Sequence, residues 1–235
     1  MFRGQDYIIN EHITIHHPTI NEICDYGEKE YYSMVSNLIS IPSDLKGQLY
    51  NIGIDYEEID EFSLFAMLCK SMDVESTRIL FKDLDLSKLT VATHKKTQEM
   101  VLYDSANDFL IDKVIYTFIT DYIRQIHGIE KKVENAGNAI TKQILIDEAV
   151  EKLKDTTKQK DKSMLIPLIS AMTNCSEFKY NHSTVWDLPI YVFMDSVKRI
   201  QKIKNYTHLM QGAYSGTVDL SKVSKKELNW LEELD

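Results

Sequence analysis

Cysteine, proline and glycine are all scarce in this chain of 235 residues, numbering three, four and eight. The cysteines, Cys24, Cys69 and Cys175, are odd in number, far apart and without a CxxC pair. That excludes a disulfide framework and a zinc ribbon, and leaves them as small hydrophobic side chains in a reducing compartment. So few prolines and glycines disfavour a β-sandwich, which needs many tight turns. Catalytic signatures are missing too: the chain has no GxSxG, no GxxxxGK[ST], no GxGxxG and no HExxH. Long apolar runs are absent; the uncharged stretch 163–176 is broken by Pro167 and is too short to span a bilayer. The opening MFRGQDYIIN lacks the apolar segment of a secretory signal. The expectation is a non-enzymatic protein without cofactor that stays inside the cell that makes it.

What is present is enough for a folded core. Hydrophobic residues make up 43% and charged residues 27%, which excludes wholesale disorder. A folded chain of this length exposes roughly 10,900 Å² and buries about 72% of its unfolded surface. The sequence holds 26 Ile against 8 Ala, and 23 Lys against 4 Arg, a bias toward AT-rich codons and so toward a low-GC genome.

The net charge of −9 is unevenly spread. Residues 1–75 carry 4 basic and 14 acidic side chains, and residues 76–235 carry 23 and 22. An acidic globule repels phosphate backbones, which argues against sequence-independent nucleic-acid binding.

Hydrophobic spacing predicts a mostly α, multi-helix protein with a short N-terminal β element and a β-hairpin near residues 79–103. Residues 6–16 alternate as strands. Pro18 is placed to open a helix at its first position, and Gly27 to break it. Pro42-Ser43-Asp44 caps a further short helix ending near Gly53. Residues 55–72 read as one amphipathic helix, with Ile59, Phe62, Phe65, Ala66 and Cys69 on one face and Glu57, Glu58, Asp60 and Glu61 in its first turns. Residues 79–81, 84–91 and 100–103 read as strands, turning at His94-Lys95-Lys96. Residues 109–126 read as a helix that is apolar around most of its circumference. Further helices are predicted at 138–160, 164–172 and 185–206, and Ser224-Lys225-Lys226-Glu227 is a capping box opening the last one. The charged run 158–162 marks a subdomain boundary, dividing an acidic N-terminal region (1–160) from a C-terminal helical subdomain (163–235).

Two clusters carry chemistry worth weighing. His12, His16 and His17 lie near Glu11, Glu22 and Cys24, residue types that bind metals and could serve a metal-dependent hydrolase. On a strand, however, His12 and His16 lack the helical face their spacing would need. The second cluster is a basic amphipathic helix. Lys198, Arg199, Lys202 and Lys204, with Lys222, Lys225 and Lys226 beyond, stand against only Asp195 and Asp219 within 195–226. Ile190, Phe193, Val197, Ile200, Ile203, Tyr206 and Met210 form its apolar stripe. One reading is a core helix whose basic edge pairs with the acidic N-terminal third; the other is a surface for a protein partner. Gly212 or Gly216 ends that helix. For the partner reading, the contact residues are Lys198, Arg199, Lys202, Tyr206, Met210, Tyr214 and Trp230, with 190–234 carrying more of the contact than the acidic third.

Two blocks also resemble a known family. HITIHHPTINEICDYGEKEYYSMVSNLISIPSDLK (12–46) and VFMDSVKRIQKIKNYTHLMQGAYSGTVDLSKVSKKELNW (192–230) are similar to the tail assembly chaperones of tailed phages infecting low-GC Gram-positive bacteria. The resemblance implies a non-catalytic protein of the host cytoplasm. Its partner would be the phage tape measure protein, not nucleic acid or membrane, and it would be absent from the mature virion. Self-association is compatible with the same pattern. A structural virion component, such as a head–tail connector or tail subunit, is the alternative within the resemblance. Many methionines, nine in all, would suit an adaptable binding surface.

Overall fold

The N-terminal alternation folds as the hairpin it implies. β1 (Tyr7–Ile8) and β2 (Thr14–Ile15) pair antiparallel with Tyr7 opposite Ile15, which buries Ile13 and Ile15 completely. Asn10 shapes the turn, its side-chain oxygen accepting from the amides of His12 and Ile13 at 2.9 Å. The computed structural model describes residues 1–156 and 162–234, except the side chains of 155 and 156. The expected boundary at 158–162 lies, apart from Lys162, outside the described residues.

Thr19, not Pro18, caps the first helix. α1 (Ile20–Tyr26) opens on a full capping box between Thr19 and Glu22, so Pro18 sits one residue before the cap. Gly27, at φ 106°, both ends α1 and starts α2 (Glu28–Ile39). A 3₁₀ turn (Pro42–Leu45) runs into α3 (Lys46–Asn51), and Gly53 turns the chain at φ 76°. α4 spans only Glu61–Cys69, shorter than the periodicity predicts. Asp60 is its N-cap, accepting from the amides of Phe62 and Ser63, and Asp55–Glu58 form a turn before it. A capping aspartate stops helix propagation backwards, because its own backbone is extended.

The largest departure falls at 79–89. Ile79, Leu80 and Phe81 belong to α5 (Val74–Phe81), capped by Asp73, and Leu86 lies in a 3₁₀ turn. An apolar triplet does not by itself distinguish a strand from a buried helical turn. The expected hairpin is real but shifted. β3 (Thr90–Thr93) pairs with β4 (Met100–Asp104) across the His94–Lys96 turn, and β5 (Phe109–Ile111) adds a third antiparallel strand. The residues read as the start of a helix at 109 are therefore strand, and α6 (Lys113–His127) begins after its cap, Asp112.

α6 is one-sided. Tyr116, Ile119, Ile123 and Ile126 are buried, while Val114 and Phe118 face solvent at 59% and 49% exposure. α7 (Ala139–Thr156) follows and packs across α3, Gly47 lying against Ala149 where a Cβ would come within 3.2 Å. Leu49, Tyr56, Leu64 and Ile146 form a small second core there. The main core draws on α1, α2, α4, α5 and α6, and also on α8 (Leu165–Thr173), the 3₁₀ turn Val185–Asp187 and the start of α9 (Ile190–Tyr214). The exposed surface is 14514 Å², about a third more than the roughly 10,900 Å² of a compact globule of this size. Much of α7 and α9 stands clear of the core.

Between α2 and α6 the core is polar. His127 Nδ1 donates to Ile123 O at 2.7 Å, leaving Nε2 to accept from the Tyr31 hydroxyl at 2.6 Å. Arg124, also buried, donates to Ile39 O at 2.5 Å, placing a cation on the C-terminal end of α2. Burial pushes His127 down to about 4 from its ordinary 6.5, and His17, hydrogen-bonded to Tyr122, is lowered by the same cause. An imidazole that is neutral when folded and protonatable when unfolded stabilises the fold fully above pH 6.5. That contribution is lost as pH falls toward 4, by about 3 kcal/mol for His127. Denaturant midpoints measured between pH 7 and 4.5 should fall accordingly. His127→Gln should be less stable at pH 7 yet show a flatter pH slope, and an unchanged slope would place the titration elsewhere.

Candidate protein-binding surface

α9 is anchored at one end only. Its N-terminal residues dock on α1 through the backbone: Ile20 N donates to Leu188 O at 3.0 Å, and Ile190 N to Pro18 O at 2.9 Å. Ile190 and Phe193 are its two buried residues, Phe193 meeting Phe178 edge-on at 6.1 Å. Val197 and Ile200 still pack on the core, but Ile203, Tyr206 and Met210 lie beyond it. The helix starts later and runs further than the predicted 185–206, passing through Gly212 without breaking.

Gly212 has a different task. The chain reverses at Gly216, with φ 76°, and the amides of Thr217 and Val218 bond back to Gly212 O at 2.9 and 3.1 Å. Val218 then sits so close that a Cβ on residue 212 would be 2.5 Å from its Cγ2. A 3₁₀ turn (Leu220–Lys222) capped by Asp219 follows, then the one-turn helix α10 (Lys225–Leu228) with the predicted Ser224–Glu227 capping box. Trp230 and Leu231 come after it in a strap (229–234) that returns along α9.

The strap opens with a turn, the Glu232 amide donating to Asn229 O at 3.3 Å. The Trp230 ring lies 6.4 Å from that of Tyr206. Arg199 donates to Trp230 O at 2.6 Å and to Glu232 O at 2.9 Å, and Lys202 pairs with the Glu232 carboxylate at 3.2 Å. Leu234 reaches a cleft of about 200 Å³ beside Tyr191, Met194, Asp195 and Gly128. Beside the strap, Lys202, Asn205, Leu209, Val218 and Lys226 line a groove of about 640 Å³.

Three of the sequence-predicted contact residues, Arg199, Lys202 and Tyr206, are thus brought together with a fourth, Trp230, inside the chain. Lys198 leans elsewhere, its Nζ against Gly128, the left-handed residue that closes α6. Met210 is half-buried further along, and Tyr214 is 84% exposed at the far end of α9. Sequence reasoning missed Glu232, and gave Gly212 the end of the helix instead of the close approach of Val218. The acids at 227, 232 and 233 stand just past the basic stretch and were the available signal.

Pairing of the basic edge with the acidic N-terminal third is not what these contacts show. Arg199 and Lys202 turn to the strap, and Lys204 to Glu177 at 3.5 Å and the Cys175 thiol at 3.2 Å. Hydrogen bonds from Cys175 and Ser176 hold Glu177 down to about 2. Cys175 is thus in polar company, whereas Cys69 is buried and its thiol is pushed up to about 12. The N-terminal acids find other cations: Asp55 and Glu57 hold Lys142 at 2.6 and 2.8 Å, Glu61 holds Lys131 at 2.6 Å, and Asp6 holds Lys82 at 2.5 Å. Asp195 is held above the usual carboxylate range by burial, against the pull of Arg199 and Lys198.

The histidines do not converge. His12 stacks on Phe109 at 4.8 Å, His16 bridges Asp6 at 2.7 Å and Glu22 at 3.3 Å, and His17 points inward to Tyr122. His16 is thus tied to Asp6 and α1, and its neighbour His17 to α6. Among the described residues no three His, Cys, Asp or Glu side chains are grouped to hold a metal ion. No helix among them is long and apolar enough to cross a membrane.

A valine at position 212 should detach the return segment without disturbing the core, since no residue of its two short helices is buried. In Gly212→Val, trypsin cleavage at Lys222, Lys225 and Lys226 should accelerate. Thermal unfolding of the core should move by less than about 0.5 kcal/mol.

Residues 157–235, which contain α8, α9 and the strap, match the family described as YomV second domain, a phage-derived family. No curated protein and no solved structure matches the chain.

Proposed function

We propose that this is a phage protein that works by binding another protein, as a tail assembly chaperone that holds the tape measure protein in the host cytoplasm before the tail is built. The observation that carries the reading is the length of α9 that lies beyond the core. A helix whose packing on the core ends at Ile200, then running several turns with a half-buried apolar stripe beneath a weakly held return segment, has more apolar surface than its own core uses. Such a stripe is what a helix-in-groove contact requires, and it needs no catalytic group. The phage-derived match covers this same part of the chain.

The methionine content supports the reading less than its number suggests. Met34, Met72 and Met172 are core residues, while Met67 and Met164 are the strongly exposed ones. The support therefore rests on α9 and its basic edge. A long helical partner kept in solution would be covered segment by segment, which suits a rigid projecting helix more than a deep pocket.

Coexpression with the tape measure protein of the same phage should move that protein from the insoluble to the soluble fraction, in complex with this chain. Replacing Arg199 and Lys202 together by Glu should reduce the captured amount at least tenfold with the core's melting unchanged. Unchanged solubility of the tape measure protein would overturn the reading. Recovery of this chain from purified virions would replace a chaperone by a structural component.

A further inference from the structure

We infer that the strap 229–234 is a built-in stand-in for a partner. In this inference the α9 face beneath it is a site for a segment that turns as the strap does and bears an aromatic residue, a carboxylate two residues on and an aliphatic residue two further on. The inference rests on the protein-binding reading above and specifies what α9 recognises. The ligand chemistry is read from the occupant: Trp230 near Tyr206, Glu232 on Lys202, and Leu234 forming part of the wall of the cleft beside Tyr191 and Met194.

Three features make this an exchangeable contact and not part of the core. First, the site is charge-complementary: Arg199 and Lys202 are cations on the docking face, and the strap carries Glu232 and Glu233. Second, recognition is largely by main chain and charge. Arg199 holds the carbonyls of Trp230 and Glu232, groups that any peptide taking the same turn presents. Third, the strap buries little. Leu231 is 71% exposed and Trp230 38% exposed, and no residue between 218 and 234 is fully buried. Segments with few buried contacts open at far lower cost than the global fold.

A strap that closes over its own site lowers the apparent affinity for a competitor by the fraction of time it is closed. It would keep the α9 face from sticking to unrelated apolar chains, and yield only to a segment that reproduces or improves its contacts. The partner, not a second copy, is the committed occupant: a second copy's strap offers the same contacts without the advantage of the tether, so only a segment that binds better than the strap displaces it.

The test uses a fluorescein-labelled peptide of residues 226–235 as the probe. The proteins are the full chain and the full chain carrying Trp230→Ala and Glu232→Lys. The peptide should bind the double variant at least tenfold more tightly than the native chain. A control peptide with the same two substitutions should bind neither. Adding Arg199→Gln and Lys202→Gln to the double variant should weaken peptide binding at least tenfold, with unchanged melting. Equal affinity for the native chain and the double variant, or no binding to a double variant that melts like the native chain, would overturn the inference. A native dimer that the double variant converts to monomer, seen by light scattering, would overturn it in favour of strap exchange between copies. The two readings fail separately. Peptide displacement without tape measure capture removes the tail-assembly reading and keeps the strap, and capture equal in the native chain and the double variant does the reverse.

Discussion

The buried face of α6 is the constraint on which the rest of the structure depends. Ile119, Ile123 and Ile126 reach no solvent, and Arg124 and His127 are enclosed among them. A guanidinium and an imidazole can be buried there only because each has a fixed partner, Ile39 O for one and Tyr31 and Ile123 O for the other. Those partners fix the position of α2 relative to α6, and α6 in turn supports the start of α9. Losing one of these bonds would leave a buried polar group unpaired, which costs more than the bond contributes.

Charge is settled locally, in two separate systems. The acids of the first third meet Lys82, Lys131 and Lys142, supplied by α5's end and the segments around α7. The cations of α9 meet Glu177 and Glu232. Most of these pairs are partly solvated, so each contributes little to stability. Their effect is on geometry: they hold α7 against the 55–57 turn, and the strap against α9. The excess acid of the first third is therefore met by lysines between 82 and 142, while the cations of α9 pair with acids of their own end of the chain.

The end of the chain that matches a phage-derived family is also the end with the least buried surface. α9 begins in the core and leaves it. The segment after Gly216 covers the exposed stripe with turns, one short helix and a turned strap instead of a second long helix. Covering an apolar stripe with a weakly held segment keeps the surface soluble while leaving it accessible, a compromise that a permanently packed helix could not provide.

How much of this was written in the amino-acid order follows from the range of the forces involved. Local rules were readable: the N-terminal alternation, Gly27 between two helices, the turn at His94–Lys96, the capping box at Ser224, and a mostly helical chain all follow from contacts a few residues apart. The extent of α4, the helical state of Ile79–Phe81 and the one-sided burial of α6 were not, because short apolar runs fit a strand or a buried turn equally well until a neighbour chooses. For the candidate site the basic amphipathic helix and its aromatic residues were legible by spacing. That Arg199 and Lys202 would face the chain's own Glu232, and that Gly212 would be needed to admit Val218, depended on a chain reversal at Gly216. Sequence alone determined which side chains share a helix face. Which other segment comes to lie on that face was decided by the tertiary structure, since pairing across 30 residues depends on where a turn aims the chain and not on the residues that meet.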